Sequence, residues 1–395
     1  MLEDVHRDEW PRVVASLARR FGDLDIAEEA AGDAFLAAAE RWPVDGEPAN
    51  PGGWLMTTAT RKAIDRLRRE NVRDQHHRAA AMITSQPDPV GIVEDDQLRL
   101  IFTCCHPALA PEARTALTLR LVAGLTVPEI ARAFLVPETT LAQRITRAKS
   151  KIRTARIPLK IPDREDFAVR IADVLAVIYL IFNEGYLPGE PDRANLAAEG
   201  VRLGRLLRSL MPADGEVAGL LALILLTEAR RPSRYSASGE LVTLADQDRG
   251  GWDQALIAEG HALVRERLAS GVRPGVYQLQ AAINAVHTDA HDVRDTDWSQ
   301  VVALYDQLYA LQPTPVVALN RAVAVAELDG PEVALSLIEP LALDGYHPWH
   351  AARADLLRRL GRSTQAQAAY TRAIETAVNP GEIAYLTRRR GELVG

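Results

Sequence analysis

The chain has little cysteine, two residues in 395, and few aromatics, 5%. The two cysteines, Cys104 and Cys105, are neighbours. Adjacent helical residues point about 100° apart, so a mutual disulfide is sterically poor. Cys104-Cys105-His106 also lacks the second ligand pair that a structural zinc site wants, so both thiols are expected in a core and His106 at a helix end. Long apolar runs are missing too: Val174 to Phe182 and Leu220 to Leu226 fall far below the roughly 20 residues of a membrane-spanning helix. The opening Met1-Leu2-Glu3-Asp4-Val5-His6 is acidic and lacks the basic start and apolar run of a secretion signal. These absences predict a cytoplasmic protein that makes no use of a membrane. Walker loops, dinucleotide fingerprints, zinc-protease motifs and nucleophile elbows are absent as well, so the expectation is no enzyme, no cofactor and no metal.

Positive charge is in short supply, and the net charge is −7. The total argues against a nucleic-acid partner, whose phosphates demand Lys and Arg, but the distribution reverses this. Residues 1–162 carry 23 bases and 22 acids, net +1, whereas residues 163–395 carry 23 and 31, net −8. Within the first part, residues 1–50 hold 12 acids and 5 bases. Arg61 to Arg78 then holds 7 bases and 3 acids, and Glu138 to Arg156 holds 6 bases and one acid. The last two stretches are the candidate phosphate contacts.

What the chain does have is helix periodicity. Apolar residues recur at three- and four-residue intervals, as in Val13, Val14, Leu17, Ala18 and Phe21, and no convincing strand is present. Helix breakers cluster at Pro43 to Gly53, Ser85 to Gly91 and Ile157 to Asp163. The spacing predicts helices near 9–21, 25–41, 51–75, 95–104, 111–122, 126–134 and 138–154. The fold class is therefore all-α: a first helical domain at 1–80, a linker at 81–94, a second at 95–157, and a large helical region at 163–395. In that region Arg321-Ala322 returns as Arg353-Ala354, Leu328 as Leu360, Ala334 as Ala366, and position 338 as Tyr370, an offset of 32. Leu360-Gly361, Ala366, Tyr370, Ala373 and Pro380 come close to a tetratricopeptide unit.

Residues 125–149 read as a helix-turn-helix. Thr126 can cap a first helix with Glu129 completing a capping box, and Pro128 is tolerated in the first turn. Ile130, Ala131 and Phe134 form its apolar stripe, and Leu141, Ile145 and Ala148 form that of a second helix starting after Pro137. The outward face then carries Glu138, Thr139, Thr140, Gln143, Arg144 and Arg147. Thr, Gln and Arg at the N-terminal end of a recognition helix can reach base edges in the major groove. Lys149, Lys151 and Arg153 suit phosphates. The bland alternative is an amphipathic hairpin with a solvated charged face.

Residues 22–38, GDLDIAEEAAGDAFLAA, and 54–70, WLMTTATRKAIDRLRRE, resemble region 2 of extracytoplasmic-function (ECF) sigma factors, and the helix-turn-helix resembles their region 4. The resemblance implies RNA polymerase core and promoter DNA as partners. Region 2 would bind core and recognise and melt the −10 element; region 4 would read the −35 element. Carried onto this sequence, Glu28, Glu29 and Asp33 face core polymerase. Arg61, Lys62, Asp65, Arg66, Arg68 and Arg69 engage the −10 element, and Thr139, Thr140, Gln143, Arg144, Arg147 and Lys149 the −35 element. The loop Pro43 to Gly53, where the family captures a flipped base, has no aromatic stacking residue and is assigned by position alone. Trp54, Phe35 and Leu55 read as core.

The runs FTCCHPAL at 102–109, YLIFNEGY at 179–186, Gln247-Asp248-Arg249 with Trp252-Asp253, and Asn320-Arg321-Ala322-Val323-Ala324 extend the resemblance. They point to the subgroup with a tetratricopeptide-like C-terminal extension, which lacks a dedicated anti-sigma partner. The extension is expected to regulate in cis, docking on regions 2 and 4. The carboxylates of Asn183-Glu184 and Asp246-Gln247-Asp248 could be catalytic, but such clusters more often cap helices or bind partners. Two other readings stay open: a stand-alone helix-turn-helix regulator, and a tetratricopeptide scaffold. The acidic helix followed by a basic one favours the sigma factor, since a repressor needs no polymerase-binding segment.

Overall fold

A computed structural model describes residues 2–73, 90–134, 136–186 and 191–393. Most of the expected linker, the break at Ser85, Arg78 of the basic stretch and Leu135 of the helix-turn-helix lie outside these residues. Among the described residues the architecture is all-α, with eighteen α-helices and a single isolated β-bridge between Tyr235 and Leu241. No described helix is long and apolar enough to cross a membrane.

The chain divides into two compact units, the first reaching Gly185 and also taking in the helix that ends at Leu210. Its first three helices are α1 (Leu2–Phe21), α2 (Leu24–Asp45) and α3 (Pro51–Arg73). Gly22, at φ +67°, ends α1 and donates its N–H to the Ala18 carbonyl at 2.8 Å, a conformation that favours glycine. Asp23 then caps α2, accepting from the N–H groups of Asp25 and Ile26 at 2.7 and 3.1 Å. The three helices pack on one another. Ala27, Ala30, Ala31, Ala34 and Ala38 of α2, Val13, Val14 and Leu17 of α1, and Leu55, Ala59 and Ala63 of α3 are all buried. Small side chains at this density let helix backbones approach closely. The helix break expected from Pro43 comes slightly later: α2 runs through Pro43 to Asp45, because a missing N–H in the last turn forfeits one bond at most.

The same unit continues with α4 (Val90–Cys104), α5 (Pro111–Leu117), a π-helical turn at Thr118–Val122, α6 (Val127–Ala133), α7 (Glu138–Thr154), α8 (Phe167–Tyr186) and α9 (Pro191–Leu210). These spans follow the predicted helices closely, except that the predicted 111–122 helix widens into the π-turn. There the Ala123 N–H reaches back to the Thr118 carbonyl at 2.9 Å. Gly124, at φ +78°, follows, and a Cβ there would come within 3.1 Å of Trp10. The bare glycine lets α1 press against the entrance to the helix-turn-helix.

The second unit holds α10 (Gly215–Glu228), α11 (Gln254–Ala269), α12 (Val276–Asp289), α13 (Trp298–Leu311), α14 (Pro315–Leu328), α15 (Pro331–Ile338), α16 (His347–Arg359), α17 (Ser363–Thr376) and α18 (Pro380–Gly391). From α12 onward each helix packs on the next. In α10 every residue from Val217 to Leu226 is buried. The repeat read at a 32-residue offset is a packing repeat: Ala322, Ala334, Ile338, Ala354, Ala366 and Tyr370 share one core. Leu328 departs from it, standing 43% exposed at the end of α14.

His287 of α12 is a half-buried titratable group of this unit. Burial, then the nearby charges of Arg230 and Arg249, lower its pKa from 6.5 to about 4. Between those values the unfolded chain binds a proton that the folded one refuses, so stability rises with pH. Chemical denaturation of the second unit is expected to show stability falling as pH drops from 6.5 towards 4. His287→Gln should flatten that dependence, and an unaltered slope would refute the assignment.

Candidate nucleic-acid interface

The helix-turn-helix forms as its residues direct. The Thr126 N–H donates to Glu129 Oε2 at 2.7 Å and the Glu129 N–H returns to Thr126 Oγ1 at 3.4 Å, closing the capping box. Ile130, Ala131 and Ala133 of α6 are buried and Phe134 half-buried. On α7, Leu141, Ile145, Ala148 and Ile152 point inward. Thr139, Thr140, Gln143 and Arg147 are exposed, with Arg144 half-buried beside them. This row of donors and acceptors has the length and character of a groove-reading surface.

Lys149 stands apart from that row. It is 8% exposed, and its ammonium sits 3.0 Å from Asp25 Oδ1 and in contact with Glu28 of α2. Burial pulls its pKa down, but Glu28 and Asp25 outweigh this and leave it above the ordinary lysine value. Arg153, one turn on, reaches Asp25 at 3.2 Å. Arg120, from the π-turn, donates its Nε to Glu28 Oε1 at 2.5 Å and an Nη to the Leu125 carbonyl at 2.9 Å. Its guanidinium lies 5.2 Å from the Trp10 ring centroid, and the Trp10 indole N–H donates to the Arg120 carbonyl at 3.2 Å. A second bridge joins α1 to α4: Asp96, fully buried, accepts from Arg19 at 2.7 Å and Arg99 at 2.9 Å. Burial raises the Asp96 pKa despite both arginines.

Sequence reasoning missed Asp25, Arg120 and Trp10. The signal was there for Arg120: it is the one charge in Ala116-Leu117-Thr118-Leu119-Arg120-Leu121-Val122-Ala123, and a charge inside an apolar run needs a partner. Lys149 was also legible, falling on the Ile145, Ala148, Ile152 stripe.

On α3, Arg61, Lys62, Asp65, Arg68 and Arg69 are exposed, while Arg66 is half-buried and pairs with Glu29 of α2. Asp65 lies 3.9 Å from Arg68, and its carbonyl accepts from Arg69 Nε at 3.3 Å. Of the three acids expected to face polymerase, Glu28 and Glu29 thus have basic partners within the chain, and Asp33 is half-buried on the same helix. Phe35 and Leu55 are core. Trp54 is half-buried, edge-on to buried Trp42 with ring centroids 5.5 Å apart.

Residues 7–73 match sigma-70 region 2, and residues 99–152 match sigma-70 region 4. The chain is 43% identical over 390 residues to an uncharacterized protein of Rhizobium meliloti (strain 1021), covering 95% of this chain and 92% of that one. It is also 29% identical over 153 residues to the ECF RNA polymerase sigma factor SigK of Mycobacterium ulcerans (strain Agy99), covering 36% of this chain and 75% of that one. SigK of Mycobacterium tuberculosis (strain ATCC 25618 / H37Rv) is 28% identical over 151 residues, 36% of this chain and 78% of its own. The chain thus carries stretches that match sigma-70 regions 2 and 4, and about a third of it is similar to ECF sigma factors. Sigma-70 regions are those of transcription initiation factors, and the two domains imply RNA polymerase core and promoter DNA as partners. Residues 170–268 match a family of unknown function (DUF6596). No solved structure matches the chain.

Outside regions 2 and 4, several of the other singled-out residues have structural roles. Asp248 caps the turn at Arg249–Gly251, accepting from the Gly250 N–H at 2.9 Å, and Asp253 caps α11. Asp246 accepts from Thr243 at 2.7 Å. Arg249 ties down the end of α12 through the His287 and Ala290 carbonyls and stacks on Trp252 at 4.8 Å. Cys104 and Cys105 are free and buried, Cys105 lying 3.5 Å from the Thr118 hydroxyl, and burial pushes the Cys105 thiol up to about 12. His106 follows α4, its Nδ1 accepting from the Ala108 N–H at 3.1 Å.

Removing the N-cap hydroxyl of α6 by Thr126→Ala is expected to cost about 1 kcal/mol. Amide exchange should speed up at Glu129 and Ile130 while that of α2 stays as it was. Unchanged exchange in α6 would show that packing alone holds the turn.

Proposed function

We propose that this chain is an ECF-type sigma factor that directs RNA polymerase core to two-part promoters, region 4 reading the −35 element through α7 and region 2 recognising and melting the −10 element through α3. The observation that carries this is the exposed row Thr139, Thr140, Gln143 and Arg147, with Arg144 beside it, on the N-terminal half of a capped second helix. That is the part of such a helix that enters the major groove. On α3, Arg61, Lys62, Arg68 and Arg69 offer a basic surface suited to promoter phosphates and the opened strand. Glu28, Glu29 and Asp33 are the polymerase-facing acids, and Lys149 joins the −35 contacts once released from Asp25 and Glu28. The domains are region 2 at 1–80, region 4 at 95–157 and a tetratricopeptide-like extension from 163. With net charge −8 on residues 163–395, the extension acts on protein surfaces rather than on DNA, and regulates in cis.

Purified chain with core polymerase should give a promoter-specific transcript that core alone does not. Arg144→Ala should weaken binding to the cognate −35 duplex by about 1–3 kcal/mol, with the loss confined to one base position. Equal loss on every duplex would make Arg144 a phosphate contact instead.

Because the first unit reaches Leu210, the extension is best removed as residues 211–395. Reporter output is expected to change, downward if the extension supports initiation and upward if it restrains it. Output and induction identical to the full chain would defeat regulation in cis.

A further inference from the structure

The second unit encloses a cavity of about 1000 Å³ whose lining residues all fall between Ser236 and Arg389, outside the stretches that match regions 2 and 4. That volume is at the upper end of the range for sites that take a drug-sized molecule. One wall is the segment from Ser236 to Asp246, and most of the rest comes from α12, α13, α14, α16 and α18. The segment is fastened to α18: the Leu241 N–H donates to the Gly381 carbonyl at 3.1 Å, and Arg388 Nε donates to Glu240 at 2.7 Å. A Cβ on Gly381 would come within 2.6 Å of the Gly239 carbonyl oxygen, so this close approach depends on glycine.

Charge around the cavity is sorted by element. Among the lining residues, α16 and α18 contribute Arg358, Arg359, Arg388 and Arg389 against the single acid Asp355, whereas the segment and α14 contribute Glu240, Asp246 and Glu327 and no base. The two sets meet at the Arg388–Glu240 and Arg359–Glu327 pairs, 2.7 and 2.6 Å apart. None of these side chains is buried, so all are within reach of a bound molecule. The rest of the lining is largely apolar and aromatic, with Trp298, Val301 and Tyr305 of α13 and Val323 of α14. Val323 is 41% exposed although Ala322 and Ala324 on either side of it are buried, so α14 leaves an apolar side chain open at the cavity.

Arginines meet a carboxylate in short, charge-assisted hydrogen bonds, and an ammonium is met by carboxylates or by the face of a tyrosine or tryptophan. A ligand carrying only one of these charges would answer one set and leave the other without a counterpart. We propose that this cavity is a binding site for a small zwitterion with an apolar body, the chemistry of a free peptide of two or three residues. Its carboxylate lies on the arginines of α16 and α18, its ammonium on the acids of the segment and α14, and its apolar side chains against Trp298, Tyr305 and Val323. The site goes beyond the sigma-factor reading and does not depend on it, since every lining residue lies outside regions 2 and 4.

The probe is the tripeptide leucyl-leucyl-phenylalanine with both ends free, titrated calorimetrically into the full chain. It should bind one to one. Acetylating its N-terminus or amidating its C-terminus removes one charge, and each change should weaken binding about tenfold or more. No binding of the free tripeptide overturns the site. Equal binding of either blocked form overturns the zwitterion as its ligand.

Val323→Trp fills the cavity from an exposed position on α14, so the chain should keep its helical signal and lose the tripeptide. Asn320→Trp, about one turn earlier, also exposed and also lining the cavity, decides the matter should Val323→Trp lose that signal. Affinity equal to that of the parent chain in the folded variant puts the peptide elsewhere and overturns the site.

Discussion

A carboxylate withdrawn from water must be met by cations, and Glu28 is the carboxylate on which the first unit turns. Its side chain is 13% exposed, and its two partners come from segments about 90 and 120 residues away in the chain. Removing one partner from such a buried cluster typically costs about 3–5 kcal/mol, because the other charge is left stranded. Replacing the whole cluster with apolar residues of equal bulk is often neutral or stabilising. The charges therefore do little for stability in sum and much for register: they accept one placement of α7 and the π-turn against α2. Trp10, stacked under Arg120 and pressed on Gly124, fills the remaining space.

This constraint divides α7 into two working halves. Its first two turns present Thr139, Thr140 and Gln143 outward, where they are clear of the cluster. Its last turns deliver Lys149 and Arg153 to Asp25. One helix thus carries both the surface that suits DNA and the groups that hold it near region 2. The charge of Lys149 is secure in this setting, since its acids more than offset burial.

The second unit is built on a different economy. Small residues at a 32-residue offset bring helices together around Tyr370, and α10 is buried along ten consecutive residues. Residues that could pass for catalytic carboxylates serve as helix caps there, which is what short acidic side chains do best at an N-terminus. The unit has a core and caps of its own.

Helix positions, the capping box, the outward row on α7 and the burial of Phe35, Leu55 and both cysteines were legible in the sequence. Each follows from local period, local capping chemistry or the apolar content of a short window. The 32-residue repeat was legible for the same reason, except at Leu328, where the helix end meets solvent instead of a neighbour. The partners of Glu28, Glu29 and Lys149 were not. A charged residue's spacing tells which face it occupies, but what lies across that face depends on segments far away in sequence, and only the assembled helices bring them within hydrogen-bond reach. The sequence by itself determined which residues can read DNA and which can meet an acidic or basic partner. The tertiary structure decided that, in the free chain, some of these meet each other.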